Sequence, residues 1–299
     1  MIIDSHCHIW KTWPFDTIEP MVAYPNSKGI DTVPDPENKA SVEQLIFEMD
    51  LNDVDQAAVV CVSIQRNQDN NDYVAECVNR YPDRLIQFAD LDGSRSPTYH
   101  TPGAADRLEK AVAKYNLKGF AHYIKRGDDG SWYFSEDGLA FLAKTAELGQ
   151  IASISCHEPE RMQPIMRQIA ERCPSVPFIM HHLGLLSKTE PARSLGLKEV
   201  LASAKMPNIY VKLSGPYYIS QKPWDYPFLE CAHVIRSLYE YYGPDRLVWG
   251  SDYPMVRDSM NYRQSIEHVR THCSFIPDED KEKILGGNLH RLLTQGHAD

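Results

Sequence analysis

The runs AAVVCV, residues 57–62, and PFIM, residues 177–180, are apolar at every position. A strand with one face in water alternates apolar and polar side chains. A strand covered on both faces does not, and that is the habit of parallel sheets flanked by helices. The two runs belong to a set of eight with strand character, at 1–5, 56–64, 84–91, 117–124, 151–156, 177–180, 208–213 and 246–250. Stretches of helical period lie between and after them, at 42–51, 72–81, 104–115, 139–148, 160–173, 197–204, 228–242 and 262–272, with a last one at 278–293. Strand and helix alternate eight times, which predicts an α/β fold of the closed (β/α)8 TIM barrel type, for which roughly 250 residues suffice. The competing architecture is an open doubly wound sheet. No Gly-x-Gly-x-x-Gly follows any strand, so a dinucleotide-binding version of it has no support.

Composition narrows the functional classes. The chain has 299 residues, 42% hydrophobic and 24% charged, with a formal net charge of −10. Such an acid balance argues against a nucleic-acid binder, which needs a basic face to neutralise phosphates. The seven cysteines stand at 7, 61, 77, 156, 173, 231 and 273, with no CxxC pair, and read as free thiols in a reducing, cytoplasmic setting. The longest apolar run, 57–62, is far short of the roughly 20 residues that cross a bilayer, so no membrane association is expected. The first residues lack the basic and apolar regions of a signal peptide.

One segment breaks the rhythm. Residues 10–40 hold five prolines and the aromatics Trp10, Trp13, Phe15 and Tyr24 without periodicity. In a domain read as one barrel over 1–299, a loop of this length following the first strand is expected on the C-terminal rim as a partial lid.

Barrel enzymes carry their chemistry at the C-terminal ends of the strands, and polar residues accumulate there in this chain. The stretch DSHCH, residues 4–8, places His6 and His8 two apart, on one side of a strand, with Cys7 pointing away. The later strands end in Lys125 and Arg126, Cys156 and His157, His181 and His182, Lys212 and Ser214, and Ser251 and Asp252. Several imidazoles and a carboxylate delivered to one rim suit a divalent metal such as zinc. Lys125 and Arg126 offer charges for a substrate carboxylate, Arg with a planar fork. Trp132, Tyr133, Tyr217, Tyr218 and Trp224 are loop aromatics that either pack or stack on substrate.

The blocks DSHCH, FIMHHLG at 178–184, VKLSG at 211–215, RLVWGSDYP at 246–254 and KILGGNLHRLL at 283–293 together resemble the amidohydrolase-related family. This is the branch of the amidohydrolase superfamily that holds lactonases and metal-dependent decarboxylases. The resemblance implies a distorted barrel with the site at its mouth. It matches His6 and His8 to the strand-one pair and Asp252 to the strand-eight aspartate, and the His-Leu-Gly pattern selects His182 over His181. His157 matches the strand-five histidine of the decarboxylase-like members. The metal set it implies is His6, His8, His157, His182 and Asp252, around zinc or a similar cation, although some members of the branch work metal-free.

In that reading Asp252 accepts a proton from water and His182 is a ligand or stabilises the oxyanion. The expected activity is hydrolysis of a carboxylate-bearing or sugar-acid lactone, with decarboxylation of an aromatic or enol-type acid as the alternative. The expected partners are this small molecule and, by the commonest default, a second copy of the chain.

Overall fold

In the computed structural model, residues 1–14 and 40–295 are described, the side chain of Gln295 excepted. The strands are β1 Ile3–Cys7, β2 Gln56–Val60, β3 Leu85–Asp90, β4 Gly119–Tyr123, β5 Ile151–Ser155, β6 Phe178–Met180, β7 Ile209–Leu213 and β8 Leu247–Trp249. They form one parallel sheet in sequence order. Helices connect successive strands outside the sheet, among them Val42–Leu51, Ala104–Tyr115, Pro159–Arg172 and Ala232–Tyr242. This is the (β/α)8 barrel expected.

Two apolar layers hold it. Ile3, Ala58, Val60, Phe88, Ala121, Ile151, Ile179 and Val248 fill the lumen. The alternate positions, such as Val59, Phe120, Ile154, Phe178, Val211 and Trp249, pack outward against Leu45, Val74, Met166 and Leu238 of the helices. Each large side chain buried this way contributes about 1.5–3 kcal/mol. All seven cysteines are free and buried. Among the described residues no helix is long and apolar enough to cross a membrane.

β1 carries a local irregularity that matters for the site. Its pairing with β2 runs Asp4↔Ala57 and then Cys7↔Val59, so three steps on β1 match two on β2. This bulge switches the inward positions from Ile3, in the lumen, to His6 and His8, with Cys7 packed outward.

The seam between β8 and β1 is closed by individual bonds. The His8 amide donates to the Tyr253 carbonyl and the Asp252 amide to the His6 carbonyl, both at 2.7 Å, and Cys7 and Tyr253 form an isolated parallel bridge. Asp4, fully buried, accepts from the amides of His6 and Ser251, the Ser251 hydroxyl and the Tyr262 hydroxyl. One carboxylate thus ties β1, the end of β8 and the following helix, Tyr262–Glu267, together.

The segment expected as a lid falls largely on residues 15–39, outside the described residues. Its two ends meet. The Trp10 amide donates to the Ala40 carbonyl, and the Trp10 ring is buried with Val62 and Ile64, its indole N–H on the Val62 carbonyl.

Candidate functional site

His6, His8, His182 and Asp252 converge at the C-terminal mouth of the barrel. Asp252 Oδ1 lies 3.5 Å from His8 Nε2, 3.6 Å from His6 Nε2 and 3.8 Å from His182 Nε2, and the two Nε2 atoms of His6 and His8 are 3.1 Å apart. All four residues are buried. His182 and Asp252 both sit at positive φ, +41° and +61°. Left-handed backbone costs a non-glycine residue about 1 kcal/mol or more and is kept where the surroundings enforce it, commonly at functional sites.

Each side chain is aimed by a second partner. The Nδ1–H of His8 donates to the Val60 carbonyl at 2.7 Å, which leaves Nε2 bare and pointing inward. His182 Nδ1 is 2.9 Å from the Ser214 hydroxyl. Asp252 Oδ2 accepts from the hydroxyls of Tyr217 and Tyr218, both at 2.7 Å, so Oδ1 is left to the histidines. Burial by itself would raise the Asp252 pKa, but the His182 imidazole facing it, His8 beside it and the hydrogen bond from Tyr217 bring it down to about 2. Burial lowers His182 to about 4 and holds His6 well below its ordinary value.

Beneath these groups runs a buried polar chain. Lys212 Nζ is 2.8 Å from His6 Nδ1 and 2.8 Å from the Ser153 hydroxyl, which is 2.7 Å from His181 Nε2. Burial brings the Lys212 ammonium down to about 7. Reasoning from the sequence placed Lys212 and His181 at strand ends without a role. A lysine inside the apolar strand IYVKL was the available signal, because an ammonium enters a barrel lumen only where polar groups receive it. Tyr217 and Tyr218 belong to an aperiodic loop and gave no signal for binding Asp252.

The other residues expected at the site lie further out. Lys125 and Arg126 are exposed just beyond β4, and His157 is half-buried beyond β5. Burial lowers His157 to about 4, with the charges of Arg126 and Arg95 adding to the effect. Arg95, from the loop after β3, also lies over the Tyr123 ring at 5.3 Å. His157 is not one of the residues whose ligand atoms cluster. Those groupings are His6, His8 and Asp252, and His6, His181 and His182.

The first grouping fits a divalent cation. Ligand atoms bound tetrahedrally at about 2.0–2.2 Å stand roughly 3.3 Å from one another, close to the 3.1, 3.5 and 3.6 Å found here. The same atoms also close without one. Lys212 donates to His6 Nδ1, His6 Nε2–H to His8 Nε2, and His8 Nδ1–H to Val60. The two states differ in which nitrogen of His6 carries the proton.

Comparison with known proteins agrees with this architecture. A family model described as amidohydrolase matches residues 3–294. The chain is 21% identical to an L-fucono-1,5-lactonase from Burkholderia ambifaria over 96% of this chain and 93% of that one. An amidohydrolase from Burkholderia multivorans solved with bound zinc superposes with a TM-score of 0.74 at 19% identity, covering 98% and 99% of the two chains. A probable 2-pyrone-4,6-dicarboxylic acid hydrolase from Acinetobacter baumannii, solved with citric acid, gives a TM-score of 0.68 at 18% identity over 98% of each chain.

Proposed function

The chain belongs to the amidohydrolase family and is an enzyme of that superfamily, and on this premise we propose that it is a lactonase. Its substrate is a lactone that carries a carboxylate or derives from a sugar acid, and water attacks the ring carbonyl. The observation that carries the reading is the division of labour on Asp252, with Oδ2 held by two tyrosine hydroxyls and Oδ1 turned to three imidazoles.

A divalent cation, zinc in this proposal, would be held by His6, His8 and Asp252 with His182 beside it, and when bound it polarises a carbonyl and acidifies water. The protein's own groups do the rest. Asp252 stays ionised throughout the working pH range and accepts the proton of the attacking water. With Nδ1 of His182 accepting from Ser214, its Nε2–H faces the site as a donor to the oxygen on which negative charge develops. The closely packed histidines and tyrosines exclude bulk water, which strengthens these interactions. Lys125 and Arg126 receive the substrate carboxylate at the exposed edge.

His157 was the residue that favoured decarboxylation. Its position outside the clustered donors takes weight from that alternative, and the lactonase named among the relatives supports hydrolysis. The experiment is a panel of sugar-acid and aromatic-derived lactones followed by acid release with a pH indicator, alongside carboxylic acids followed by carbon dioxide release. Ring opening of at least one lactone is expected. Inert lactones together with a decarboxylated acid would overturn the proposal.

A further inference from the structure

The loops after β3 and β4 are fastened together by a cluster that lies apart from Asp252 and the histidines. The His100 ring is sandwiched between Tyr99, at 3.8 Å and 17°, and Trp132, at 4.4 Å and 7°. The Tyr99 hydroxyl donates to Asp128 Oδ2 at 2.6 Å and accepts from the Lys125 amide at 3.0 Å. Asp128 also faces His100 Nδ1 at 3.3 Å and accepts from the Gly130 amide. A second tie runs through Asp137, which accepts from the Gly103 amide and the Trp132 indole N–H. His100 is kept at φ +54°, a conformation that needs such enforcement.

The placement of this clasp gives it a use. Tyr99 and His100 are on the loop that carries Arg95, and Asp128 and Trp132 are on the loop that carries Lys125 and Arg126. The Arg95 guanidinium lies over the ring of Tyr123, just before Lys125 in the chain, at 5.3 Å, and the Gly127 amide, next to Arg126, donates to Glu158 Oε2 at 3.0 Å, so the loops that carry the three cations meet beside His157. A planar carboxylate is bound tightly only by donors held at fixed separation, because loose long side chains lose much of the gain to ordering. We propose that Tyr99 is a positioning residue that, through the Lys125 amide and Asp128, sets the spacing of Arg95, Lys125 and Arg126 around a subsite for the substrate's carboxylate. The inference rests on the reading of the mouth as a carboxylate-binding site and not on the lactonase chemistry.

Tyr99→Phe keeps the stacked ring and deletes both hydrogen bonds. Binding of glutarate, a simple dicarboxylate probe, is followed by calorimetry in the full-length protein, together with kinetics on a carboxylate-bearing and a neutral lactone of the same ring size. The variant is expected to weaken glutarate binding and raise KM for the charged lactone by about five- to tenfold. KM for the neutral lactone and kcat for both should stay within twofold, and Arg126→Ala should weaken glutarate at least as much as Tyr99→Phe. Should Arg126→Ala leave glutarate binding unchanged, the carboxylate reading is what fails. Should Arg126→Ala weaken it and Tyr99→Phe not, or should both lactones lose affinity equally in Tyr99→Phe, the clasp is what fails.

Discussion

Two carboxylates at the barrel mouth are pushed in opposite directions. Asp252, following β8, is held at about 2, whereas Asp90, at the end of β3, is raised from 3.8 to about 6. Burial raises both. The difference is in what meets the charge. Asp252 has two phenolic donors and the imidazoles, while Asp90 has the Ser63 amide at 3.0 Å, with Arg95 as a more distant charge and Asp92 opposing it. Ionisation of these two carboxyls thus follows the groups that face each one, the His182 imidazole first for Asp252 and then the hydroxyls supplied by the segment after β7.

The largest effect is expected at Asp252, the proposed base. Asp252→Asn keeps a similar shape and removes the proton acceptor, so kcat for lactone opening should fall by about a thousandfold or more. Circular dichroism should show the fold unchanged, and retained turnover would refute the role as base.

A smaller effect is expected from the donors. Tyr217→Phe combined with Tyr218→Phe strips both hydroxyls from Asp252 Oδ2 and raises its pKa. With ionised Asp252 as the proposed base, the acid limb of kcat/KM should move to higher pH, by on the order of one unit. A pH–rate profile that overlays the parent would show that the tyrosines do not tune the base.

The smallest effect concerns Asp90 and stability. A carboxyl whose pKa is higher in the folded state than in the unfolded chain binds its proton more tightly when folded. Its contribution is therefore fully present below the unfolded value and is lost as pH rises through about 6. Asp90→Asn abolishes that loss. Relative to the parent, the variant should gain stability between pH 4 and pH 7, on the order of 2 kcal/mol in urea melts. A difference that stays constant with pH would place the Asp90 titration elsewhere.

Much of this molecule is legible in its sequence. The helices expected at 42–51 and 104–115 are found as Val42–Leu51 and Ala104–Tyr115, and each of the eight expected strand runs contains or overlaps a strand. Periodicity is a local property of a chain folded against an apolar core, so it survives in the sequence. Where the backbone departs from regular period the reading was coarser. The helix expected over 262–272 is regular only to Glu267 and then widens over His268–His272, and the one expected over 278–293 widens over Lys283–Gly287. The bulge in β1 was equally unreadable, since DSHCH has the same alternation with or without it.

The barrel itself was written in the chain, because eight strand runs alternating with helices, several of them apolar on both faces, have few other ways to bury those faces. The sequence also determined which rim is chemical, because the strand ends that face one way carry the histidines and the aspartate. How those groups are held was set by tertiary contacts alone. Lys212 under His6, the tyrosines on Asp252 and the clasp between the β3 and β4 loops join residues distant in the chain, and hydrogen bonds across such separations leave no periodic trace in a sequence.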